Sequence, residues 1–135
     1  MFKALIVEDN RCFSEALRAA LQAHFPFVML EHAAGVQEAL GKIDSMQPDL
    51  IFSDMRLPDG NGLGLTRAIR AAGIDSVIVV LTSHDLPEYR DAALSSGANH
   101  FMTKGSVSIT DIFGSIGSIL ASRVSVRPCA EGVPV

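Results

Sequence analysis

Short apolar runs and helix-spaced apolar stripes alternate along most of this chain. Nearly continuous apolar runs occur at Ala4–Val7, Phe27–Leu30, Leu50–Phe52, Val77–Leu81 and Phe101–Met102. Runs this short, with little polar alternation, predict strands buried on both faces. Between them lie stripes with helical spacing: Phe13, Ala16, Leu17, Ala20 and Leu21; Val36, Ala39, Leu40 and Ile43; Leu65, Ala68, Ile69 and Ala72. A weaker stripe follows at Leu86, Tyr89, Ala92 and Ala93, and a wide one at Ile109, Ile112, Phe113, Ile116, Ile119 and Leu120. Each predicts an amphipathic helix.

Boundary residues agree with this division. Asn10 suits the cap of the first helix, Gly73 and Gly97 suit the ends of the third and fourth, and Pro48 parts the second helix from the next strand. Five strands alternating with five helices predict an α/β fold, a doubly wound parallel sheet of order 2-1-3-4-5 covered on both sides. The fifth helix carries Gly114 and Gly117 inside its pattern, each costing about 1 kcal/mol relative to Ala. From Ser122 the helical period fades and Pro and Gly return. The expected organisation is one domain over residues 1–122, with 123–135 a flexible tail or the start of a linker.

Composition narrows the function classes. The 135 residues suit a single core, and 48% apolar with 19% charged residues describes a globular chain. A net charge of −4 without a basic cluster argues against direct nucleic-acid binding by this domain alone. Cys12 and Cys129 imply neither a disulfide framework nor a thiolate metal site, and Cys12 reads as a small core residue on the apolar side of the first helix. His24, His32 and His100 are scattered, against a histidine metal site. No apolar run approaches the ~20 residues of a membrane span, and the start is too short for a signal peptide, so a cytoplasmic location is expected.

In an open α/β sheet, ligands bind beyond the carboxyl ends of the strands, where strand order reverses. Glu8 and Asp9 follow the first run, Asp54 the third, Thr82 and Ser83 the fourth, and Lys104 the fifth. Strand two ends in Glu31, His32 and two alanines, with no evident role. Order 2-1-3-4-5 makes strands one and three neighbours, so Glu8, Asp9 and Asp54 converge. Crowded carboxylates repel unless a cation joins them, and an oxygen-rich, partly hydrated site suits Mg²⁺. Lys104 and the Thr82 hydroxyl then face phosphoryl oxygens arriving at Asp54, which meets the needs of phosphoryl transfer. Taken singly, each of these residues reads as a turn, cap or surface residue. Their joint placement points to a site.

The ordered set "IVEDN", "SDMRLPDGNG", "VLTS" and "GANHFMTK" resembles the receiver domain of two-component response regulators, from about Lys3 to about Ser122. That resemblance implies the flavodoxin-like (βα)5 fold and a signalling switch rather than a turnover enzyme. It implies Asp54 as the acceptor of a phosphoryl group from a partner kinase or phosphotransfer protein. Glu8, Asp9, Asp54 and the Met55 backbone carbonyl would hold Mg²⁺. Thr82 and Lys104 would contact the phosphoryl group, and Thr82 and Phe101 would act as the switch. Arg56 and His84 occupy the positions that tune phosphoryl lifetime. The output would pass through the face of helix four, strand five and helix five, to an output domain (transcriptional regulation among the candidates), another partner, or a homodimer. Gly105 follows Lys104 where many receivers have Pro, as in receivers joined to helix-turn-helix output domains.

Two other readings compete. A Mg²⁺-dependent phosphatase with an aspartate nucleophile usually has a second acid two residues on, and here that residue is Arg56. A flavodoxin-like cofactor carrier needs a phosphate-cradling loop after strand one, but "VEDNRC" is acidic and lacks Gly.

Overall fold

The structure is a computed structural model that describes residues 3–83 and 86–104. Along the chain it forms β1 (Lys3–Val7), α1 (Arg11–His24), β2 (Met29–Ala33), α2 (Val36–Met46), β3 (Leu50–Asp54), β4 (Arg56–Leu57), β5 (Gly60–Asn61), α3 (Gly62–Ala71), β6 (Val77–Thr82), α4 (Pro87–Ser95) and β7 (His100–Thr103). Five strands pair in parallel in the order β2-β1-β3-β6-β7. Counted along the sheet's own strands, this is the expected 2-1-3-4-5. The predicted fifth helix with Gly114 and Gly117, the 123–135 tail and His84 lie outside the described residues.

The central strands are apolar except at their ends because alternate side chains serve two cores. Leu5, Val7, Ile51, Ile78 and Val80 pack with Ala39 and Ile43 of α2, Leu65 and Ile69 of α3, and Ala93 of α4. Ala4, Ile6, Leu50, Phe52, Val79 and Leu81 pack on the other side with Leu17 and Leu21 of α1. Each large side chain buried this way contributes about 1.5–3 kcal/mol.

Two expectations need correction. Strand two begins at Met29, not Phe27, a residue 88% exposed. In the main sheet β2 pairs with β1 alone, so it is an edge strand and mixes polar Glu31 and His32 with apolar residues. Cys12 is exposed rather than part of the core. Ser14, Leu17 and Leu21 define the buried face of α1. At 3.6 residues per turn, Cys12 is rotated roughly 200° from Ser14.

The predicted helix ends hold. The Asn10 side chain accepts the Phe13 amide hydrogen at 3.1 Å, and Gly73 and Gly97 adopt φ of 78° and 112°. Arg70 straps α3 to the far side of α4: Nε donates to the Gly97 carbonyl at 2.9 Å, Nη1 to the Ile74 carbonyl at 2.8 Å and Nη2 to Asn99 Oδ1 at 2.8 Å. Asn99 Oδ1 also accepts the Ile78 amide hydrogen at 2.9 Å.

Candidate functional site

The backbone ladder runs one residue past the strand ends, and this fixes the site. Glu8 N donates to the Ala33 carbonyl at 2.9 Å, Met55 N to the Leu81 carbonyl at 2.7 Å, and Lys104 N to the Thr82 carbonyl at 2.7 Å. Glu8, Met55 and Lys104 are thereby held at the carboxyl edge of the sheet although none belongs to a strand. Asp54 closes β3 opposite Leu81, and Thr82 pairs with Thr103.

One carboxylate oxygen from each of Glu8, Asp9 and Asp54 lies within 4.8 Å of the others. Glu8 is 1% exposed and Asp54 8%, whereas Asp9 is open to solvent. The Lys104 ammonium lies 2.5 Å from Glu8 Oε1 and 3.4 Å from Asp54 Oδ1. Glu8 Oε2 accepts the Asn10 amide hydrogen at 3.0 Å. Its Oε1 has a charge partner in Lys104 but no aligned hydrogen bond. Burial pushes the Glu8 carboxyl above its ordinary value; Lys104 and the Asn10 amide oppose that push, and the Asp54 charge adds to it.

The loop after Asp54 is a tight hairpin of β4 and β5, a pairing not evident in the apolar pattern. The Met55 carbonyl accepts the Gly62 amide hydrogen at 3.0 Å, closing the loop. A Cβ on Gly62 would stand 2.6 Å from the Asp54 carbonyl oxygen, so only glycine allows this closure without displacement. Arg56 is exposed on β4. Phe101 is buried on the side of the sheet covered by α2, α3 and α4, where α4 is the helix that packs on β7, with the Arg90 guanidinium 5.2 Å from its ring centroid.

Two contacts were not foreseen. His32 Nε2 donates to the Glu8 carbonyl at 2.8 Å, since a carbonyl can only accept. The residue without an evident role thus braces the acid pair. The Phe13 ring also faces the Lys104 ammonium. A phenylalanine on the first turn of a helix that starts beside Asp9 was the available signal.

The profile described as the response regulator receiver domain matches residues 4–113. The chain belongs to the response regulator receiver domain family. This receiver domain is 36% identical over 102 residues to the response regulator MprA of Mycolicibacterium vanbaalenii, covering 76% of this chain and 43% of that protein. It is 33% identical over 102 residues to the transcriptional regulatory protein TrcR of Mycobacterium tuberculosis, covering 76% of this chain and 39% of that protein. The chain therefore spans less than half the length of these relatives.

A two-component response regulator from Clostridium difficile superposes with a TM-score of 0.82 at 27% identity, over 90% of this chain and 97% of that one. A CheY-like receiver domain from Methanospirillum hungatei has the same TM-score at 24% identity, over 93% and 98%. The flavodoxin-like doubly wound fold is confirmed. The receiver domain is a signalling module of two-component systems, and its acidic cluster is the feature through which the family typically binds Mg²⁺.

Proposed function

We propose that this receiver domain is a phosphorylation-activated switch in which Asp54 accepts the phosphoryl group of a sensor kinase or phosphotransfer protein. The observation that carries this reading is the position of Asp54: a nearly buried carboxylate, 3.4 Å from a lysine ammonium, within an acid cluster at the sheet's carboxyl edge. An Asp54 carboxylate oxygen attacks phosphorus; the P–O bond forms as the P–N bond of the donor phosphohistidine breaks, and the electron pair leaves with the imidazole. The family membership and Arg56 on β4 favour acceptance over the turnover of a phosphatase.

The donor set fits Mg²⁺. Glu8, Asp9 and Asp54 offer only hard oxygen ligands, and Glu8 Oε1 is buried without an aligned hydrogen bond. The Met55 carbonyl accepts the Gly62 amide hydrogen and has a second lone pair for a ligand. When bound, Mg²⁺ supplies charge neutralisation at the phosphoryl oxygens. Lys104 turns its donors from the carboxylates to a phosphoryl oxygen. Thr82, buried at the end of β6, offers its hydroxyl to another. Movement of Thr82 towards the phosphoryl group frees space for Phe101, and the face carrying α4 and β7 changes shape.

Arg56, exposed two residues past Asp54, and His84 tune how readily water reaches the phosphoryl group. The name of the TrcR relative, a transcriptional regulatory protein, supports a transcriptional output, reached through a linked domain or through a homodimer on the α4–β7 face. No helix among the described residues is long and apolar enough to cross a membrane. A cytoplasmic location, with no direct DNA contact by this domain, accords with this role.

The test is intact-mass measurement after incubation with acetyl phosphate and Mg²⁺. Wild type gains one acid-labile phosphoryl group, whereas Asp54→Asn and wild type in chelator gain none. Equal labelling of wild type and Asp54→Asn would overturn the assignment.

A further inference from the structure

Phe13 stands half-buried on the first turn of α1, and its ring centroid lies 4.7 Å from Lys104 Nζ. The same ammonium is ion-paired with Glu8 and Asp54. Lys104 therefore ends in a slot with two carboxylates as charge partners and an aromatic face as a further wall. Its side chain is 14% exposed, so the charge is largely removed from water.

The ring is not placed independently of the acids. Glu8 Oε2 accepts the Asn10 amide hydrogen, and Asn10 Oδ1 accepts the Phe13 amide hydrogen. These two bonds make residues 8–13 one braced unit, so the ring's position is set by the residue that begins the acid pair. An aromatic face attracts a cation without lone pairs and without directional demand. It steadies the ammonium without competing for its hydrogens, which remain available to an arriving phosphoryl oxygen.

Resting on the Asp54 reading above, we propose that Phe13 is a positioning residue for Lys104: its ring holds the ammonium at the mouth of the acid crevice and sets the rate at which Asp54 accepts a phosphoryl group. The competing role is plain packing, because Phe13 also touches the core on the α1 side of the sheet. The two roles separate when the electron density of the ring changes but its shape does not.

The experiment compares wild type, Phe13→Leu, Phe13→Trp and a series with one, two and three fluorines on the Phe13 ring. One readout is the rate of labelling by acetyl phosphate at fixed Mg²⁺; the other is the NMR shift of the Lys104 ε-methylene protons. In the wild type, ring current moves those protons upfield, and Phe13→Leu abolishes the displacement. Phe13→Leu slows labelling roughly three- to tenfold, successive fluorines slow it stepwise, and Phe13→Trp retains the rate. In a Lys104→Met background, Phe13→Leu changes the residual rate less than about twofold.

A labelled wild type with a flat fluorine series, or methylene shifts equal in wild type and Phe13→Leu, overturns this proposal and leaves the Asp54 reading standing. A wild type that takes no label removes the Asp54 reading and the rate role of Phe13 with it.

Discussion

Gly35 and Asp59 compete for the same space: a Cβ on Gly35 would lie 2.6 Å from Asp59 Oδ1. Gly35 precedes α2 and has no side chain to cap it, so the cap comes from elsewhere in the chain. Asp59 Oδ1 accepts the Val36 amide hydrogen at 2.6 Å and Oδ2 accepts the Gln37 amide hydrogen at 3.0 Å. The hairpin that follows the candidate phosphoacceptor thus satisfies the free amides at the start of α2. Gly35→Ala displaces the carboxylate and Asp59→Ala removes it, so both lower the melting temperature by a few degrees. The double variant melts close to the lower single, because both lose the same two bonds. Additive losses in calorimetry would refute the shared cap.

The same carboxylate gives a pH dependence. The Gln37 and Val36 amides hold Asp59 below its ordinary value of 3.8. A depressed carboxyl contributes stability above its unfolded pKa and loses it as pH falls through the folded value. The melting difference between wild type and Asp59→Asn is therefore constant around neutrality and shrinks below about pH 4. Parallel melts across that range check the sign; a difference that widens in acid contradicts it.

Metal dependence follows from the charge count. Three carboxylates and one lysine leave the ionised cluster two negative charges in excess. A cation bound only by the folded protein adds RT ln(1 + [L]/Kd), about 1.4 kcal/mol at ten times Kd, or a few degrees. Wild type gains that shift in Mg²⁺. Asp54→Asn, with one charge fewer, melts higher than wild type in chelator and gains less from Mg²⁺. A wild type indifferent to Mg²⁺, beside an Asp54→Asn that melts lower in chelator, would sink the site.

Asn99 brackets one residue of β6. Its amide donates to the Ile78 carbonyl at 2.9 Å while its Oδ1 accepts from the Ile78 amide and from Arg70. Asn99→Ala leaves the Ile78 N–H without that acceptor, at a cost of about 1–3 kcal/mol in urea unfolding. Asn99→Asp keeps the acceptor and the Arg70 contact and stays near wild type. Equal losses for both would show that the acceptor is not what matters.

The strand ends exposed the candidate site in the sequence because a parallel sheet aligns its carboxyl edges, and the ladder carries Glu8, Met55 and Lys104 one step beyond. Order and spacing therefore sufficed to place Glu8, Asp9, Asp54, Thr82 and Lys104 at one edge of the sheet. Phe27 misled because an edge strand is half-solvated, and an apolar run there need not be buried. Cys12 misled because its composition says little about which side of a helix it occupies. The Asp59 cap joins residues 22 and 23 positions apart, the His32 bond to the Glu8 carbonyl residues 24 apart, and the Phe13 contact residues 91 apart. No local pattern records such pairings, since each arises only after the sheet has set its register.

The Arg70 strap makes α4 a lever with one moored end. Its carboxyl end is tied through Gly97, where a Cβ would stand 2.6 Å from Arg70 Cγ, whereas Leu86 before its first turn gives no side-chain cap and the helix buries Ala93 alone. Any tilt therefore turns about the moored end. Over nine residues, roughly 13 Å of helix, a tilt of roughly 10° carries the first turn about 2 Å while the last turn hardly moves. A partner that senses α4 should grip the end nearest Thr82. Amide exchange should accordingly slow from Asp91 towards Ser95, and Arg70→Met should level that gradient.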